Sequence, residues 1–454
     1  MKLTFALTVS FLLTSISYAG NDDVLYERLK LLPSDGSPQD FFGISVAIDG
    51  NFVLVGAHLD DTIAGVDAGS VCVFNLENGA FVRKITAPDA SPNDEFGRSI
   101  SAHDGKLIIG AHLDNGKLSN SGAAYVYNID NGAFLYKILY PGNDTTTDSY
   151  FGYSVSISSN LLAAGAYAEN GVNSEDGAVW IFDVESGNVV EGYRSNHSDS
   201  GGHNFGWSID TDYSNLLVGA PRDNFLGFPG AALLIDTTLD KEIELVPNND
   251  QSPHNQLFGF SVAISGPYAA ISAVEDSSNG DKAGAVFIFD TTNGNELAKL
   301  FSNDISTGDE FGYSLDIDSN LLVVGSRHDD DNGGNSGSAY VFKTDGFQQT
   351  QKLLASDGSG NSFLGRSIAV SGNHIAVGAT GESSNGPRSG AVYLYQMVSC
   401  DADLTDDGSL NFLDVSAFLA AYGQQDLIAD FTDDGSLNFL DVSAFLEAFG
   451  VGCP

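Results

Sequence analysis

Along most of the chain, apolar and polar residues alternate in short runs broken by glycine-rich turns. The stretch FGISVAIDGNFVLVGA from residue 42 alternates, turns at Asp-Gly-Asn, and resumes as an apolar run ending in Gly-Ala. Alternation, a turn and a second apolar run form the pattern of a β-hairpin with one face buried. The phrase returns as FGRSISAHDGKLIIGA at 96, FGYSVSISSNLLAAGA at 151, FGWSIDTDYSNLLVGA at 205, FGFSVAISGPYAAISA at 258, FGYSLDIDSNLLVVGS at 311 and, with Leu for Phe, LGRSIAVSGNHIAVGA at 364. Each copy is followed by a polar loop and a third strand such as GSVCVFNL, GAAYVYNI or GAVFIFDT. A turn such as ENG or TNG then leads to a more variable fourth strand.

The glycines opening these phrases, at 43, 97, 152, 206, 259, 312 and 365, are 53 to 55 residues apart. Repeats of this length, each with four antiparallel strands that cannot bury both faces alone, predict the blades of a β-propeller. The seventh unit runs through GAVYLYQM at 390–397 without a fourth strand, and a spare VLYERLKLL lies at 24–32. The spare strand is predicted to close the ring and remove its open sheet edges. The fold class is therefore mainly β: a seven-bladed β-propeller over residues 24–397, followed by a small all-α loop-helix-loop-helix module at 400–454. The paired Phe-Gly and Gly-Ala signatures resemble FG-GAP repeats, the units of the integrin α-subunit propeller and of many bacterial exported proteins. Members that bind calcium in the propeller carry a D-x-D-x-D-G-like hairpin loop; here the turns are short, as in AIDGNF and SISSNL, so that site is not expected. Only Gly219-Ala220-Pro221 keeps the full Gly-Ala-Pro.

The tail says one thing twice: TDDGSLNFLDVSAFLAAYG at 405–423 and TDDGSLNFLDVSAFLEAFG at 432–450 agree at seventeen of nineteen positions. Each copy places oxygen-bearing residues at alternate positions of a twelve-residue loop with glycine at position 6, the arrangement by which an EF-hand-like loop surrounds calcium with hard oxygen ligands. The first set is Asp403, Thr405, Asp407, Ser409, Asn411 and Asp414, and the second is Asp430, Thr432, Asp434, Ser436, Asn438 and Asp441. After each loop, Val415, Phe418, Leu419 and Tyr422, and again Val442, Phe445, Leu446 and Phe449, recur at helical spacing and predict two helices that pair their apolar stripes. The tail resembles a type I dockerin, a module of two loop-helix repeats with Asp at position 12. The resemblance implies two bound calcium ions and a cohesin-like partner contacted through loop positions 10 and 11, here the apolar pairs Phe412-Leu413 and Phe439-Leu440. Intramolecular packing against the propeller is the competing role for these pairs.

Charge narrows the class of partner. With 60 acidic and 19 basic residues the net charge is −41, which repels nucleic acid and anionic membranes and favours cations. Residues 401–454 hold eleven acids and no Lys or Arg, so folding of the tail is expected to depend on calcium. The start, MKLTFALTVSFLLTSISYAG, reads as a signal peptide cleaved after Ala19, and no later segment is apolar for long enough to span a membrane. An exported protein, secreted or held at the cell surface, follows. Of three cysteines, Cys400 and Cys453 bracket the tail and form the obvious disulfide pair, leaving Cys72 over.

One carboxylate recurs after the second strand of every unit: Asp60, Asp114, Glu169, Asp223, Asp276, Asp329 and Glu382. The seven read either as a rim that binds cations or basic ligands, or as turn formers repeated for the same reason as the glycines, and the second reading is favoured. A further acid, Asp35, Asp89, Asp144, Asp199, Asp250, Asp304 or Asp357, precedes each phrase and reads as a turn former. Only His58 and His112 share a repeat position, and no nucleophile elbow, zinc-helix motif or phosphate loop is present, so no catalytic residue is assigned. The expected function is a non-enzymatic binding or adhesion protein for an extracellular protein or glycan, with the calcium-dependent tail for attachment or assembly. The alternative is an exported polysaccharide-active enzyme carrying a dockerin-like module.

Overall fold

The computed structural model describes residues 24–142, 148–170, 176–194, 202–223, 230–239, 241–248, 256–398, 402–405, 410–432 and 435–451. The proposed signal peptide, Cys400 and Cys453 lie outside the described residues. Two compact units are present, Leu25–Gln396 and a second containing the residues from Met397 onward.

The first unit is a seven-bladed β-propeller of seven four-stranded antiparallel sheets. The innermost strands are Ser45–Asp49, Ser99–His103, Ser154–Ile157, Ser208–Asp212, Phe258–Ser265, Leu315–Asp318 and Leu364–Ser371. In the seventh blade the outer place beside Ala391–Val398 is filled by the N-terminal strand Val24–Leu31, the closure expected from the spare strand. The apolar cores lie between blades: Leu54, Val71 and Val73 of one blade pack with Leu107, Ile109 and Tyr125 of the next. Each Phe-Gly phenylalanine is a wedge in such an interface; Phe96 is fully buried, 5.3 Å from the ring of Tyr125.

The constant serine two residues after each Phe-Gly pair explains part of the phrase. Ser45 Oγ donates to the carbonyl of Gly97 at 2.8 Å, Ser99 to Gly152 at 2.8 Å and Ser154 to Gly206 at 2.7 Å, and Ser367 closes the circle by donating to Gly43 at 2.8 Å. Gly97 takes φ +92°, a conformation that favours glycine, and a Cβ on Gly110 would fall against the carbonyl oxygen of Gly152. Blade five departs: Ser272 stands where the other blades have glycine and exchanges hydrogen bonds with the backbone of Ser261 in its own blade (2.9 and 3.2 Å).

In the second unit, α1 (Phe412–Gln424) and α2 (Phe439–Val451) flank a short 3-10 turn, Leu427–Ala429. Phe418 and Phe445 stack at 4.1 Å and, with Ala402 and Ala429, form a buried centre lined by Val415, Tyr422, Phe431, Val442 and Phe449. The predicted stripes need one correction. Leu419 and Leu446 are 58% and 55% exposed, because Phe431 from the connecting segment takes the place between the helices. Among the described residues no helix is long and apolar enough to cross a membrane.

Candidate functional site

In four blades both repeated acids meet on a lysine of the fourth strand; Asp144, Asp199 and Asp250 lie outside the described residues. Lys84 Nζ lies 2.7 Å from Asp60 and 2.8 Å from Asp35, and Lys137 lies 2.8 Å from both Asp114 and Asp89. Lys352 sits among Asp304 (2.7 Å), Asp329 (2.8 Å) and Asp331 (2.6 Å), and Lys30 bridges Glu382 (3.1 Å) and Asp357 (2.7 Å). Lys299 takes Asp276 at 3.0 Å, and Arg194 pairs with Glu169. Blade four has Glu244 where the other blades have this cation, and Asp223 is buried there. Burial opposes every charge in these clamps, but the hydrogen bonds outweigh it: Lys30, Lys84 and Lys137 are held above the usual lysine range and Asp89, Asp304 and Asp357 below the usual carboxylate range. The three acids around Lys352 have the spacing of a metal cluster, but its ammonium already fills the centre. Cys72 is buried in the first blade, and burial pushes its thiol up to about 12.

A different set converges at the Phe-Gly end of the central channel. The residue between the constant Phe-Gly and the constant serine is Ile44, Arg98, Tyr153, Trp207, Phe260, Tyr313 or Arg366 in successive blades. The six from Arg98 to Arg366 touch in sequence around the ring. The Arg98 guanidinium stacks on Tyr153 at 4.6 Å and donates to its hydroxyl at 2.8 Å; Tyr153 meets Trp207 at 4.8 Å, Trp207 meets Phe260 at 5.9 Å, and Phe260 meets Tyr313 at 5.1 Å. Arg366 then lies 4.8 Å from the Tyr313 ring.

Beside Arg366 opens a cavity of about 340 Å³, lined by Phe41, Ile44, His58, Leu59, Arg327, His328, Phe363, Arg366, Thr380 and Arg388. Arg327 stacks on Tyr313 at 3.9 Å and pairs with Glu310 at 2.8 Å. Burial would raise the Glu310 carboxyl, but His328 and Arg327 hold it at about 2. Burial, together with Arg98 and Arg327, brings Arg366 down to about 10, and burial with Arg98 and Arg366 nearby keeps His58 neutral. This ring is legible as the variable position between the recurring glycine and the constant serine, where six of seven residues are aromatic or arginine. Repetition does not mark it, because the residue changes from blade to blade.

At the other end of the same channel, a cavity of about 410 Å³ is lined by Asp49, Asp210, Asp316 and Asp318 among apolar strand residues. These acids accept backbone N–H groups of the following blade: Asp49 from Gly105 (2.8 Å), Asp210 from Ile264 (2.8 Å), Asp316 from Val370 (2.6 Å) and Asp318 from Gly372 (2.8 Å). Burial raises Asp210 to about 6, and burial together with the charge of Asp210 raises Asp316 to about 7.

In the tail, ligand positions 1, 3 and 12 of each loop come together. Thr405 Oγ1 is 2.7 Å from Asp414 and 3.4 Å from Asp403, and Thr432 repeats this with Asp441 (2.7 Å) and Asp430 (3.4 Å). Asp414 and Asp441 are fully buried, each accepting two backbone N–H bonds. The donors are all oxygens and include two carboxylates per loop, a set that fits a hard cation such as calcium. The side-chain oxygens of Asn411 and Asn438 accept from the N–H of Leu413 and Leu440 as helix caps, and Ser436 contributes its carbonyl to Asn438 Nδ2. Asp407, Ser409 and Asp434 lie outside the described residues.

Fold and repeat together define a propeller whose blades are built on paired Phe-Gly and Gly-Ala signatures. The FG-GAP repeat family matches residues 26–74, 80–127, 139–182, 242–289, 295–342 and 347–395, more than half of the chain, which therefore belongs to that family. The unmatched interval contains the inner strands of blade four, the blade with Glu244 in the cation position, yet it folds into the same four-stranded sheet. No curated protein matches the chain.

Proposed function

We propose that the protein is a secreted or surface-associated, non-enzymatic binding protein. Its propeller presents the Phe-Gly mouth to an extracellular protein or glycan, and its dockerin-like tail, ordered by two calcium ions, serves attachment or assembly. Membership of the FG-GAP family supports a binding or adhesion platform. The observation that carries the reading is the mouth itself, a concave, aromatic and cationic cavity on an otherwise acidic chain. Support for the tail's role comes from the gathered oxygens of its two loops and from Phe412, Leu413, Phe439 and Leu440, which are 77%, 58%, 76% and 60% exposed, as a partner surface requires. A cohesin-like module is the partner implied for these pairs.

The test is a screen of the full chain against immobilised glycans and extracellular proteins, with calcium or with chelator, alongside an assay for released reducing ends. Specific retention without product release is expected. Sustained release of saccharide products would replace the reading by that of a polysaccharide-active enzyme, and retention by nothing in the panel would contradict a binding role.

A further inference from the structure

Acids outnumber bases by 60 to 19 in this chain, yet the mouth cavity is lined by three arginines and two histidines and by no Asp or Glu. Chance favours the reverse composition. Arg327 is already paired with Glu310. Arg366, held between the Tyr313 ring and the positive charges of Arg98 and Arg327, has no carboxylate partner among the described residues, and Arg388 reaches out over Phe41 at 5.9 Å, likewise without one. Lys30, Lys84, Lys137 and Lys352, by contrast, are each clamped by two or more carboxylates. Two guanidinium groups are thus left at one cavity without a carboxylate among the described residues, and forked, charge-assisted contacts of this kind suit an anion.

The remaining walls describe the rest of the ligand. Phe41, Phe363, Ile44 and Leu59 offer apolar faces, while Thr380 and His58, whose buried Nδ1 has no hydrogen-bond partner among the described residues, call for hydroxyl groups. A volume of about 340 Å³ lies at the small end of ligand pockets, too small for a helix or a folded loop of a partner. We propose that the mouth binds a ring-borne carboxylate with neighbouring hydroxyls, a uronic acid residue at the end of an acidic saccharide, with Arg366 and Arg388 taking the carboxylate and the aromatic walls taking the apolar face of the ring. This rests on the binding reading above and names its ligand class. A terminal residue suits the site better than the middle of a polyanion, because the net charge of −41 repels a long anionic chain everywhere else.

The experiment is calorimetric titration of the full chain with trigalacturonate, with a neutral galactose trimer and with inorganic sulfate. Trigalacturonate is expected to bind one-to-one, the neutral trimer to give no heat, and sulfate to compete only weakly. Arg366→Gln is expected to weaken binding by about tenfold or more and Arg366→Lys by less, as loss of a charge-assisted, forked contact requires. Arg388→Gln, at an exposed position that cannot unfold the chain, should weaken it too. Equal binding of the neutral trimer, sulfate binding as tightly as the uronate, or unchanged affinity in both glutamine variants would each overturn the assignment. Absence of trigalacturonate binding would also overturn it, while leaving the binding reading to stand or fall on the glycan and protein screen.

Discussion

The two ends of the propeller channel are built by the same seven strands, a few residues apart, and are chemically opposite. At the hairpin end the ionisable groups are mainly acids, and the carboxylates of Asp49, Asp210, Asp316 and Asp318 are occupied by backbone N–H groups of the next blade. At the Phe-Gly end the charged groups lining the cavity are arginines stacked on aromatic rings, of which Arg327 meets Glu310 while Arg366 and Arg388 have no acid to meet among the described residues. The difference separates two uses of charge in one repeat. Acids that recur or face the next blade hold the ring together, whereas the cations at the variable position are left facing a cavity.

The largest effect should come from breaking what both ends share. Gly110→Val places a side chain against the Gly152 carbonyl at a blade junction, and a loss of about 4 kcal/mol or more, or failure to fold, is expected in denaturant titration. Next comes the clamp. Lys352→Met leaves Asp304, Asp329 and Asp331 around an uncharged side chain, and about 2 to 3 kcal/mol of stability should be lost, the two outer acids being partly exposed. The Asp89, Asp304 and Asp357 carboxyls are depressed in the folded state, so their contribution is present above the ordinary carboxylate range and lost as pH falls through it.

The acidic end behaves in the opposite sense. Asp316 is raised to about 7 in the fold, so the folded state holds its proton more tightly than the unfolded chain does. Its contribution is full below the usual aspartate range and falls as pH rises towards 7. Asp316→Asn should therefore stabilise the propeller by about 1 to 2 kcal/mol at pH 8 relative to pH 5, a value discounted for partial exposure, and flatten the melting temperature between them. The smallest effect on the ring is Ser99→Ala, which removes one inter-blade hydrogen bond and should cost about 1 kcal/mol. Calcium sharpens the comparison from outside the ring. Among the described residues nearly all helix lies in α1 and α2, so titration with calcium should fill two sites with a gain of helical circular dichroism, and an unchanged spectrum at saturating calcium would contradict the loop assignment.

Much of this fold could be read from the chain because its signal is repetition. Six Phe-Gly phrases and one Leu-Gly phrase give the blade count, and the missing fourth strand after GAVYLYQM points to Val24–Leu31. The clamp is half legible: both acids recur in the chain, but their meeting on a fourth-strand lysine is not legible, because the partners come from separate loops that only folding brings together. The mouth was missed for a related reason. Residues more than fifty positions apart form one ring there, and they differ from blade to blade where repetition would have marked them. In the tail, helical spacing alone could not tell that Phe431 rather than Leu419 would fill the helix interface.

The claim that the Phe-Gly mouth, and not the acidic end, receives ligand is tested most directly by the fluorescence of Trp207, which sits in the mouth ring between Tyr153 and Phe260. Titration with trigalacturonate should change tryptophan emission saturably in the wild type and, at the same midpoint, in Asp316→Asn, whereas Arg366→Gln should shift the midpoint upward by about tenfold or more. An unshifted midpoint in Arg366→Gln, or loss of the response in Asp316→Asn, would contradict the account.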